Sequence, residues 1–107
     1  MATALIRYLG NLRTVSTHFK SGEKIITDAP PDNLGKGEFF SPTDLVASAL
    51  GSCALTIMGI ASREHKFSLE GAYVEVTKIM APNPRRISEI ILDFYFPNNV
   101  YTEKEKI

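Results

Sequence analysis

The sequence predicts an α+β fold. Three observations carry that expectation: short β-type segments at both ends of the chain, one long uncharged segment between them, and Pro- or Gly-rich stretches separating the pieces. The predicted order is three N-terminal strands, a long central apolar helix, a C-terminal β-hairpin and the start of a second helix.

Residues 3–9 and 12–19 carry β-branched and aromatic side chains, and Gly10-Asn11 between them is a hairpin-type pair. Ser21-Gly22 marks the next turn, and Lys24 to Thr27 form a third short strand. The stretch APPDNLGKGEFF, residues 29–40, contains two prolines and two glycines and is predicted to be a loop.

The helix start is the sharpest local signal. Ser41 suits the N-cap, Pro42 the first helical position and Asp44 the acid of a capping box, while Phe40 and Leu45 are spaced as a hydrophobic staple. Leu45 to Ser62 is an eighteen-residue run without a charge. The helix is expected to continue to about His65, where that imidazole and Lys66 suit the negative end of the dipole.

Residues 69–79 alternate, with Ala72, Val74 and Val76 against Tyr73, Glu75 and Thr77. A turn, APNPRR, leads to residues 87–96, where Ile90, Leu92, Phe94 and Phe96 share a face. These runs predict an antiparallel hairpin with one covered side. Thr102 and Glu105 form a second capping-box signature, the expected start of another helix. One helical turn does not stand alone, so residues 1–107 are expected to be a single domain shortened at its C-terminus.

Composition narrows the function. With 44% hydrophobic and 22% charged residues the chain is an ordinary globular one. Twelve basic residues balance twelve acidic ones, which argues against nucleic-acid and anionic-membrane partners. The N-terminus MATALIRYLG has too short an apolar stretch for a secretory signal, and the cytoplasm is the default expectation. The uncharged run reaches the lower limit of a membrane span, but Ser48, Gly51, Ser52, Thr56, Gly59 and Ser62 dilute it and no polybasic flank orients it. The helix is apolar or small nearly all round, so it needs cover on most sides. Ala47, Gly51 and Leu55, with Ser48 and Ser52, would let another helix approach closely, and a homodimer is expected.

Cys53 is the only cysteine, so no internal disulfide is possible. Free cysteine is among the most buried residue types, and spacing alone favours packing. An apolar site disfavours the reactive thiolate; a nearby cation favours it. The helix offers none, leaving Arg7, Arg13, Lys36, Arg85 and Arg86 as candidates, with an arginine preferred for its permanent charge and several donors. His18 and His65 lack the spacing of a zinc site. Gly35-Lys36-Gly37 lacks the ending of a phosphate loop and reads as a flexible loop. Tyr95 and Phe96 read as sheet packing, and no cofactor is indicated.

The block FFSPTDLVASALGSCALTIM resembles the OsmC/Ohr family, in which an Asn- or Ser-Pro helix opening is followed about eleven residues later by a cysteine. The longer stretch from YLGNLRTVSTHF to GSC is similar to the OsmC-like branch. The resemblance implies two subunits intertwined around central helices, and a thiol-dependent peroxidase of oxidative-stress defence acting on organic hydroperoxides and, in some members, hydrogen peroxide. It places the attacking thiol at Cys53 and the arginine of the early hairpin, usually the partner subunit's in the family, nearest to Arg13, with Arg7 second. It also implies an external dithiol reductant.

The chain departs from the family in lacking the resolving cysteine. It also carries Thr43 where the arginine-orienting carboxylate follows the proline, which leaves Asp44 for either that role or capping. The alternative function is a non-catalytic, stress-associated or small-ligand-binding dimer in which Cys53 is a core residue.

Overall fold

A computed structural model describes residues 1–96. The architecture is α+β: β1 (Ala4–Gly10), β2 (Arg13–His18), β3 (Lys24–Asp28), α1 (Pro42–Glu64), β4 (Tyr73–Ala81) and β5 (Arg86–Tyr95). The second capping-box signature at Thr102 and Glu105 lies outside the described residues. The chain divides into two compact units, Met1–Leu45 and Val46–Ile107, with the boundary inside the first turns of α1.

The first unit is an antiparallel sheet ordered β1-β2-β3. The β1–β2 loop falls on Asn11-Leu12, one residue beyond the expected Gly10-Asn11 pair, with φ of 54° and 60°. Two central residues with positive φ match the right-handed twist of a hairpin, and a register irregularity at Tyr8/Gly10 absorbs the offset. The second turn closes where expected, with Gly22 N–H donating to the His18 carbonyl at 2.8 Å.

The loop after β3 is tighter than its composition suggests. It contains a 3-10 turn, Pro31–Asn33. Gly35 N–H donates to the Pro30 carbonyl at 3.0 Å and Gly37 N–H to the Ala29 carbonyl at 3.1 Å. A Cβ at Gly35 would lie 1.8 Å from the Ala29 oxygen. Gly35 therefore permits a close backbone approach, which corrects the flexible-loop reading.

The start of α1 forms as its sequence predicts. Asp44 N–H donates to Ser41 Oγ at 3.0 Å, Ser41 N–H donates to Asp44 Oδ2 at 3.0 Å, and Leu45 N–H bonds the Ser41 carbonyl at 3.0 Å. The helix ends at Glu64 with Lys66 at φ 60°. Phe67 N–H reaches the Ser62 carbonyl at 3.0 Å and Lys66 N–H the Arg63 carbonyl at 3.4 Å, a Schellman pattern that uses Lys66 where glycine is commoner.

In the second unit, β4 and β5 pair antiparallel, with Val76 opposite Leu92 and Tyr73 opposite Tyr95. β4 begins at Tyr73 rather than near Leu69. Glu70 N–H donates to Ser68 Oγ at 3.1 Å and Ala72 N–H to the Leu69 carbonyl at 2.9 Å, so residues 68–72 are spent on a turn. Gly51 faces this hairpin: a Cβ there would stand 2.9 Å from Val76 Cγ2, 3.2 Å from Val74 Cγ1 and 3.7 Å from Leu92 Cδ2.

Among the described residues only Ala47 is a fully buried hydrophobe, while nineteen large apolar residues are exposed. The helix is long and apolar enough to span a membrane by length and composition, with 17% of its most apolar window buried. A soluble protein's core helix passes the same test.

Candidate functional site

Cys53 lies at the start of the fourth turn of α1 and is exposed. Each helical residue turns about 100°. Val46, Leu50, Cys53, Ile57 and Ile60 follow one another at steps of four and three, so they form one stripe. Their apolar members are 47–61% exposed. Ala47, Gly51 and Ser62, on the opposite side, are buried. Thus Gly51, seated on the hairpin, turns Cys53 outward, since two residues rotate the direction by about 200°. Thr56 Oγ1 donates to the Ser52 carbonyl at 2.9 Å, and on the buried side Ser62 Oγ donates to the Gly59 carbonyl at 2.7 Å. Among the described residues, Cys53 therefore stands on the exposed side of α1.

Arg13 opens β2 and is half-buried. Its Nε donates to Asp28 Oδ1 at 2.7 Å and its Nη2 to Asp28 Oδ2 at 2.8 Å, a side-on bidentate pair. Nη2 also donates to Glu38 Oε1 at 2.5 Å, and the guanidinium carbon lies 4.8 Å from the centre of the Phe39 ring. Asp28 is 1% exposed and also accepts the Glu38 backbone N–H at 3.1 Å. The Arg13 hydrogen bond lowers the Asp28 pKa below the usual carboxylate value against the opposing effect of desolvation. The hydrogen bonds from Asp28 and then Glu38 push the Arg13 pKa further up, so its charge is permanent.

Asp44 acts in the capping box at the start of α1, while the carboxylates on Arg13 are those of Asp28 and Glu38. Sequence reasoning missed Asp28, Glu38 and Phe39. For Asp28 a signal existed: counting back from the second turn sets Arg13 opposite Asp28 in the β2–β3 register, an opposite-charge cross-strand pair. For Glu38 and Phe39 none did, because the loop's hydrogen bonds bring them back. Among the described residues no group of three or more His, Cys, Asp or Glu is placed to hold a metal ion.

An α+β chain with one thiol on an apolar central helix, opened by a Ser-Pro capping box, defines the class. The model of the OsmC-like protein family matches residues 35–107, and the chain belongs to that family. A comparison with curated proteins found no match. Among solved structures, the chain is similar to a candidate osmotic-stress-induced and detoxification-response protein from Psychrobacter arcticus 273-4. They share 49% identity and a TM-score of 0.92 over 99% of this chain and 77% of that one.

Proposed function

We propose that this protein is a soluble, cytoplasmic thiol-dependent peroxidase that protects against oxidative stress by reducing organic hydroperoxides at Cys53. One observation carries the reading: in an OsmC-like chain, the only cysteine stands exposed at the middle of an apolar helical stripe. Likeness to a candidate detoxification-response protein supports it.

The Cys53 thiolate attacks the terminal oxygen of ROOH. The O–O bond breaks, the alkoxide takes a proton and leaves as ROH, and sulfur is oxidised to a sulfenic acid. One thiol of an external dithiol then condenses with the sulfenic acid, releasing water and forming a mixed disulfide. Its second thiol displaces Cys53 and leaves as a cyclic disulfide, so the dithiol supplies both electrons. This route needs no second cysteine, and the chain has none. Arg13 supplies the cation that favours the thiolate, contributed by a second copy in a homodimer. Covering four side chains of the stripe from about half exposure is worth about 3–7 kcal/mol per chain, which favours that dimer.

The double pairing of Arg13 to Asp28 and Glu38 favours a second reading, a non-catalytic dimer in which Arg13 is a clamp. Turnover decides between them. Wild-type protein with a dithiol should consume cumene-type hydroperoxide, Cys53→Ser should not, and mass spectrometry should find oxygen on Cys53 after a sub-stoichiometric dose. An equal rate in Cys53→Ser removes the enzyme reading.

A further inference from the structure

The cradle around Arg13 is built from two unlike carboxylates. Asp28 is buried on β3, holds the guanidinium side-on at 2.7 and 2.8 Å, and is itself tied to the backbone N–H of Glu38. Glu38 is 59% exposed and holds Nη2 through a single oxygen. Phe39 lies against the guanidinium, and the Nη1 hydrogens make no hydrogen bond among the described residues.

The two carboxylates have opposite consequences for any anion that approaches Arg13. Asp28 fixes the direction of the planar fork and leaves the Nη1 edge open. Glu38 occupies a donor and adds a negative charge, so Arg13, Asp28 and Glu38 sum to a formal charge of minus one. Lys36, acting on Asp28 through space, offsets part of this. A thiolate gains little from a guanidinium already shared between two acids. An exposed single-oxygen contact is the weaker one, so Glu38 is the group that yields.

We propose that Asp28 is the positioning residue that aims Arg13, and that Glu38 is a displaceable carboxylate competing with the reacting sulfur and the peroxide oxygens for the same donors. This rests on the peroxidase reading above. Glu38 thereby holds down the reactivity of the resting site, and its departure from Nη2 releases the cation.

The two roles predict changes of opposite sign, which a merely structural role does not. The test measures Cys53 alkylation by iodoacetamide at pH 7 and hydroperoxide kcat/KM with a dithiol, in wild type, Glu38→Gln, Asp28→Asn and Cys53→Ser, at one ionic strength. Glu38→Gln should raise both rates about threefold or more, the effect of removing one nearby like charge. Asp28→Asn should lower both by about tenfold or more, because the fork loses its bidentate partner. Glu38 is exposed, so its variant tests the proposal even if Asp28→Asn fails to fold. Cys53-dependent turnover with a Glu38→Gln rate at or below wild type overturns this inference and leaves the peroxidase reading standing. Turnover unaffected by Cys53→Ser overturns both.

Discussion

Replacing Gly51 by alanine should destabilise the protein although alanine is the better helix former. In an exposed helix interior the change gains about 1 kcal/mol. Here the new methyl would sit 2.9 Å from Val76 Cγ2 and 3.2 Å from Val74 Cγ1, against the roughly 3.5–4.0 Å of relaxed carbon contacts. The valines cannot give way cheaply. Both are stiff at χ1, and their strand is pinned by pairing Val76 with Leu92 and Val74 with Phe94. Overpacking of this kind costs about 1–3 kcal/mol, so the expected net loss is about 1 kcal/mol.

The cause can be isolated. Val76→Ala removes the nearest methyl, and in that background Gly51→Ala should become neutral or stabilising, a coupling of about 1–2 kcal/mol. Urea denaturation followed by far-ultraviolet circular dichroism, at one protein concentration, reads all four corners of the cycle. A Gly51→Ala protein as stable as wild type would refute the seating of α1 on the hairpin, and with it the reason Cys53 faces outward.

Ser41→Ala, which removes the hydroxyl that accepts the Asp44 N–H, should cost about 1 kcal/mol in the same denaturation assay. Gly35→Ala should cost about 1–3 kcal/mol, the worth of the two loop hydrogen bonds that a methyl 1.8 Å from the Ala29 oxygen would break. Because the folded Asp28 pKa is depressed, the stability from its ion pair is full above the ordinary carboxylate value of about 4 and lost as pH falls through the lower folded value. Wild type should therefore lose stability more steeply than Asp28→Asn below about pH 4. Tyr95 has its pKa raised above the ordinary phenol value, first by the charge of Glu75, so an absorbance titration should show Glu75→Gln ionising at lower pH.

What the chain alone determined are the features set by neighbours in sequence. The capping box at Ser41 and Asp44, the length of the apolar helix and the alternation of the last two strands arise from contacts a few residues apart, where side-chain period and cap chemistry leave few choices. The α+β order follows from them.

Three-dimensional folding decided what depends on distant backbone. The Asn11-Leu12 loop follows from strand register. The turn over residues 68–72 is the exception: its bonds span two and three residues, and the alternation of residues 69–79 conceals them. The pairing of Arg13 with Asp28 was within reach of register counting, but its pairing with Glu38 required the loop to fold back through Gly35 and Gly37. Which side of α1 bears the thiol was also decided in space. Periodicity cannot rank the sides of a helix that is apolar all round, whereas the close approach of Gly51 to Val76 selects the buried one and leaves Cys53 on the other.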